Sequence, residues 1–291
     1  MTFNEGANVG SGNVSRRGRN GAIAGGGGIL GIIVVFVISQ LTGVNVGGLL
    51  PGGDGGAAGP DEELNCTYDQ ANNNDDCRVE GAAASLEQYW SGIAPELGFT
   101  YVAPTKTIIF DGATNTGCGN ATSAVGPFYC PPDSTIYLDT AFYADLRTKF
   151  GASGGNLAQM YIIAHEWGHH IQHISGITDG LDLQATGPDS DSVRLELQAD
   201  CFAGAWVGAA STTADDKGVI FLEPVTQQEI NDALNAAAAV GDDNIQEKTQ
   251  GQSNPEGWTH GSSESRQKWF EAGRSGGPNA CNTFEVAGSA L

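Results

Sequence analysis

The sequence predicts an α+β fold, mostly helical, with a small sheet. Apolar residues recur at helical spacing in several long windows, whereas runs rich in β-branched residues are few and short. The composition, 40% hydrophobic and 8% aromatic, is that of an ordinary globular protein without internal repeats. Most of the 291 residues belong to one compact domain of roughly 230 residues, enough to bury a sizeable core.

Taken in order, residues 1–20 are polar and basic, with Arg16, Arg17 and Arg19 just ahead of an apolar run. That run, Ala22–Leu41, carries no charge and has about the length that crosses a bilayer's apolar core. Residues 1–20 therefore read as a cytoplasmic tail and 21–42 as one transmembrane helix. The arginines before the run, with Asp54, Asp61, Glu62 and Glu63 after it, set the N-terminus inside and the remainder outside the cell membrane. Gly25–Gly28 interrupt the run and leave Ile29–Ile38 as its strongly apolar part, so a cleaved signal peptide is the alternative. The Gly-rich stretch 43–62 reads as a flexible linker, and 63–291 as the globular domain.

Within that domain, Val79–Leu97 places Ala84, Leu86, Tyr89, Trp90 and Ile93 at helical spacing. Lys106–Phe110 and Thr135–Leu138 read as short strands, each followed by an Asp, with a Gly-rich loop between them. Ala141–Phe150 is a short helix closed by Gly151. Asn156–Ser175, Val193–Ala210, Thr226–Val240 and Ser263–Ala272 complete the helices.

Thirty-four acidic residues against 13 basic give a formal charge of −21. Such a surface repels phosphate backbones, which argues against nucleic acid as a partner. Six cysteines all lie downstream of the apolar run, none in a C-x-x-C pair. An even count in an exported domain predicts disulfides. Short separation favours Cys66–Cys77 and Cys118–Cys130, which leaves Cys201–Cys281.

The chemistry is concentrated in Tyr161–Ile174, YIIAHEWGHHIQHI, where His165, Glu166 and His169 form an H-E-x-x-H motif. On a helix, residues four apart share a face about 6 Å apart along the axis. Two imidazoles so placed can reach one zinc ion. Glu166, at the edge of the same face, can take a proton from the attacking water and return it to the leaving amine. His173 lies ~12 Å along the axis from His165, too far to share its ion, and His170 points ~100° away from its neighbour. Neither is expected as a ligand.

A catalytic zinc uses three protein ligands and keeps one open position. The best third ligand is Glu196, in RLELQAD, with Asp200 one turn on to accept a hydrogen bond from a ligating histidine. Leu195, Leu197, Ala199 and Phe202 around them predict a buried helix.

The segments AHEWGHHIQ, ELQADCFAGAW and THGSSESRQKWF, together with YLDTAFYADL and DALNAAAAVGDDNIQ, resemble the bacterial neutral zinc metallopeptidase family of membrane-anchored enzymes. The resemblance runs from about Asp61 to Phe284. It implies a zincin-like peptidase domain, His165, His169 and Glu196 as zinc ligands, and Glu166 as catalytic base. His260, in Thr259-His260-Gly261-Ser262, is a candidate donor to the tetrahedral oxyanion. Its alternative role is that of a loop histidine capping the helix at Ser262–Ser263. The expected activity is zinc-dependent hydrolysis of a peptide or protein substrate outside the cytoplasm. A catalytically silent metal-binding scaffold and a zinc hydrolase of cell-wall amides are the alternatives.

Overall fold

The computed structural model describes residues 1–18 and 59–291. Strand β1 (Val14–Arg17) precedes the undescribed stretch, and β2 (Asp61–Glu63) follows it. Helices α1 (Tyr68–Asn73) and α2 (Asp75–Ile93) come next, α2 starting earlier than its apolar spacing predicts because Asn74 caps it through the Cys77 amide. Then come β3 (Lys106–Ile109), a hairpin of β4 (Ala113–Thr116) and β5 (Gly119–Thr122), β6 (Phe128–Cys130) and β7 (Thr135–Leu138). The rest is helical: α3 (Phe142–Thr148), α4 (Asn156–Ile174), α5 (Asp191–Ala209), α6 (Gln227–Ala239), α7 (Asp242–Gln250) and α8 (Ser263–Gly276). This is the mostly helical α+β architecture that the sequence predicts.

The main sheet has the order β2-β1-β3-β7-β6. β1, β3 and β7 run parallel, while β2 and β6 close the two edges antiparallel. Ile109, Ile136 and Leu138 from the sheet join Trp90, Tyr161, Trp167, Trp206 and Phe270 from the helices in one core. α5 packs along α8 on one side and α4 on the other, and β6 lies beside α4. The disulfides are the three expected pairs, Cys66–Cys77, Cys118–Cys130 and Cys201–Cys281. The last ties α5 to the C-terminal segment across a separation of 80 residues.

The membrane topology is corrected. Among the described residues no helix is long and apolar enough to cross a membrane, and the run Ala22–Leu41 lies outside the described residues. The first 18 residues are part of the same folded body as the helices. β1 sits inside the main sheet between β2 and β3, Phe3 is buried and bridges Leu222, and the Met1 amino group meets Glu229. A chain whose N-terminal strand shares a sheet with residues 106–138 cannot hold the two on opposite sides of a bilayer. Of the charges that suggested a membrane flank, Arg16, Arg17 and Asp61 have tertiary partners. Arg17 grips Asp61 through Nε at 2.7 Å and through its terminal nitrogen at 3.3 Å, and Arg16 pairs with Asp76.

Candidate metal centre

α4 presents His165, Glu166 and His169, and α5 presents Glu196 and Asp200. Both helices are buried, with Ile163, Trp167 and Ile171 on one and Leu195, Leu197 and Phe202 on the other facing the core. Close approach depends on Gly168, a wildcard of the motif. A Cβ there would stand 3.0 Å from both the Ala199 Cα and its carbonyl oxygen, so the absent side chain lets the two helix backbones meet at the site.

The result is convergence. His165 Nε2 lies 3.1 Å from one Glu196 oxygen and His169 Nε2 3.4 Å from the other. One donor atom from each of the three residues falls within 4.8 Å of the others. Donors at zinc-ligand distances in a tetrahedron stand about 3.3 Å apart, so the spacing fits that ion. The donor chemistry fits too, since two imidazoles and one carboxylate supply the three protein ligands of a zinc site that keeps one position open.

The far side of each imidazole is held. His165 Nδ1 donates to Asp200 Oδ1 at 2.8 Å, and His169 Nδ1 donates to Gln172 Oε1 at 2.9 Å. These contacts assign the Nδ1 proton of each ring to a protein acceptor and leave Nε2 as the nitrogen that a metal would take. Gln172 is itself fixed, giving hydrogen bonds to the Leu195 carbonyl at 2.7 Å and to Gln198 Oε1 at 3.1 Å, and Gln198 donates onward to the Cys281 carbonyl at 2.9 Å. The Cys201–Cys281 bridge thus stands at the end of a relay leading to His169.

Asp200 is wholly buried and carries more than one ring. Arg266 from α8 donates Nε to Asp200 Oδ2 at 2.7 Å and a terminal nitrogen to Oδ1 at 3.0 Å, and the Tyr161 hydroxyl donates to Oδ1 as well. Burial opposes a charge on Asp200, but Arg266 and then His165 override it and hold the carboxyl below its usual range. Burial likewise opposes a charge on Glu196, yet His169, His260 and the hydrogen bond from His165 keep it well below the carboxylate range. Burial also disfavours an imidazolium at His165. Asp200 and Glu196 outweigh that and push its pKa up to about 10, so a metal taken up there displaces a proton.

Glu166 is buried beside the two histidines, at the wall of the same cleft. Burial raises its pKa, and the charges of His165 and His169 partly offset this. His260 also lines the cleft. Asp242, at the start of α7, collects the backbone amides of Thr259, His260 and Gly261 at 2.8, 2.6 and 3.0 Å. Gly261 at φ +89° supplies the left-handed turn that aims three successive N–H groups at one carboxylate. The other Asp242 oxygen lies 3.3 Å from His260 Nδ1, which leaves Nε2 for the cleft. The cap of α8 is Ser262, whose hydroxyl accepts from the Ser265 amide at 3.0 Å, so His260 is not needed as a cap.

His170 and His173 fall outside the donor group. His170 is buried, donates Nε2–H to the Val102 carbonyl at 2.7 Å and meets the Tyr129 hydroxyl at 3.1 Å. Burial lowers its pKa to about 4. His173 Nδ1 lies 2.7 Å from the same hydroxyl, and its ring lines the cleft. The residues that sequence reasoning passed over are Arg266, Tyr161, Gln172, Asp242 and Tyr129. Tyr161 and Gln172 had a usable signal, lying one turn before His165 and three residues beyond His169 on the same helix.

Residues 4–284 match the family described as "putative neutral zinc metallopeptidase". An uncharacterized protein of Mycobacterium tuberculosis strain H37Rv is 46% identical over 256 residues, covering 86% of each chain. The uncharacterized protein YpfJ of Escherichia coli K12 is 38% identical over 282 residues, covering 94% of this chain and 92% of its own. No solved structure matches. With one family model spanning nearly its whole length and relatives at these identities, the chain belongs to the family described as "putative neutral zinc metallopeptidase".

Proposed function

We propose that this chain hydrolyses peptide bonds in a peptide or protein substrate, with His165, His169 and Glu196 holding zinc. The observation that carries the reading is the meeting of three donor atoms within 4.8 Å on the wall of a cleft that also exposes Glu166. Zinc held by these three residues would supply Lewis-acid polarisation of the scissile carbonyl and would lower the pKa of water to about 7. Glu166 takes the proton from the attacking water and passes it to the leaving amine. Asp200 and Gln172 position the two imidazoles by holding their Nδ1 protons. His260, fixed through Nδ1 by Asp242, donates from Nε2 to the oxyanion as the carbonyl becomes tetrahedral.

The test is metal analysis of purified wild type and Glu166→Gln beside a cleavage assay on an unbiased peptide mixture. The expected result is about one zinc per chain in both proteins, with cleavage by wild type alone. Zinc-loaded wild type that cuts no peptide, or a variant that cuts as well as wild type, refutes the reading.

A further inference from the structure

We infer that the cleft selects substrates by a bulky apolar side chain beside the scissile bond and rejects charged ones there. The inference rests on the peptidase reading and deepens it. The cleft encloses about 420 Å³ next to the candidate metal centre, a volume in the range of sites that take whole side chains. Away from the metal donors its wall is built from Phe128, Phe142, Phe150, Ile162, Val240 and Ile245. Ile162 connects the two regions, since it lies on α4 one turn before Glu166 and so faces the same way. A side chain extending from a scissile bond at Glu166 meets this apolar wall first.

The charges in the cleft reinforce that choice. Apart from histidines, its charged lining residues are Glu166, Glu196 and Arg266. Arg266 is committed to Asp200 by two hydrogen bonds of 2.7 and 3.0 Å, with a third to the Val240 carbonyl at 3.2 Å. It has no free charge to offer a substrate carboxylate. Glu166, which is not one of the metal donors, disfavours a second carboxylate beside it. A lysine or arginine side chain would have to leave water along the phenylalanine and isoleucine wall, where no carboxylate receives it. Burying a Leu or Phe side chain there favours binding by roughly 10- to 150-fold over leaving it in water.

The experiment incubates zinc-loaded full chain with a mixture of peptides of all compositions and maps the cut sites by mass spectrometry. One position flanking the cut is expected to hold Leu, Ile, Phe or Met at least 10-fold more often than Asp, Glu, Lys or Arg. Cuts with no such enrichment, or with charged residues enriched, overturn the inference and leave the peptidase reading standing. If nothing is cut, the peptidase reading fails, and recognition is read separately by calorimetry on zinc-loaded Glu166→Gln. There, acetyl-Gly-Phe-Leu-Gly-amide should bind at least 10-fold more tightly than acetyl-Gly-Asp-Glu-Gly-amide; equal binding overturns the inference. Ile245→Glu and Phe142→Glu alter half-buried positions on the rim. With zinc content and circular dichroism retained, each should reduce the apolar enrichment several-fold and admit Lys or Arg. An unchanged cut profile in both variants overturns the assignment of that wall.

Discussion

Replacing Arg266 by Met should separate two roles of the Asp200 cluster. In the folded chain the guanidinium is 3% exposed and Asp200 is 0% exposed, with two hydrogen bonds between them. Removing the cation strands a buried carboxylate whose remaining donors are Tyr161 and His165. Breaking a buried pair in this way costs about 3–5 kcal/mol, a fall of roughly 10 °C in melting temperature for a chain of this size. Adding Asp200→Asn removes the stranded charge and should return most of that loss, because a pair without either charge pays no penalty for burial. Zinc binding should not return with it. An amide accepts more weakly from His165 Nδ1, and losing such an outer partner weakens metal affinity roughly 10- to 100-fold. Urea unfolding of metal-free protein and chelator competition for zinc read the two quantities separately. A single variant that loses under about 1 kcal/mol, or a double variant no more stable than the single, refutes the reasoning.

His260→Ala should lower turnover by roughly 10²- to 10³-fold, the usual cost of one oxyanion donor, with zinc per chain unchanged by metal analysis; lost zinc would make it a ligand instead. Gly168→Ala places a Cβ 3.0 Å from the Ala199 backbone and should spread α4 from α5 by a few tenths of an ångström. The expected cost is about 1–2 kcal/mol in urea unfolding, with faster loss of zinc to chelator. Glu80 gives the pH dependence. It is fully buried, and burial pushes its pKa from 4.5 to about 7, against one hydrogen bond from the Cys66 amide. The folded state therefore binds its proton more tightly than the unfolded chain, so stability declines as pH rises from about 4.5 to 7. Glu80→Gln should be more stable than wild type by up to about 3 kcal/mol at pH 8 and no more stable at pH 4; equal gains at both would exclude this origin.

The motif helix and its partner were legible because their signals are local. His165, Glu166 and His169 declare themselves by i, i+1, i+4 spacing, and Glu196 and Asp200 repeat that spacing within an apolar frame. The three disulfides followed from short separations and elimination. What stayed hidden depends on residues distant in the chain. Val14–Arg17 has no alternating pattern, and becomes a strand only because β2 and β3 flank it and Asp61 receives Arg17. Seen without those partners, the same charges look like the flanks of a membrane helix. Arg266 is one arginine on an amphipathic helix until the fold brings Asp200 to it, 66 residues away in sequence. Tyr129 is a strand residue until α4 sets two histidines against its hydroxyl.

The two ends of the undescribed stretch 19–58 face each other across the sheet edge. The Gly59 amide donates to the Gly18 carbonyl at 3.1 Å, and the Gly18 amide to the Pro60 carbonyl at 3.3 Å. Three or four glycines and serines would therefore be long enough to bridge from β1 to β2. Starting the chain at residue 59 would lower the melting temperature, because the sheet would lose the strand that joins β2 to β3.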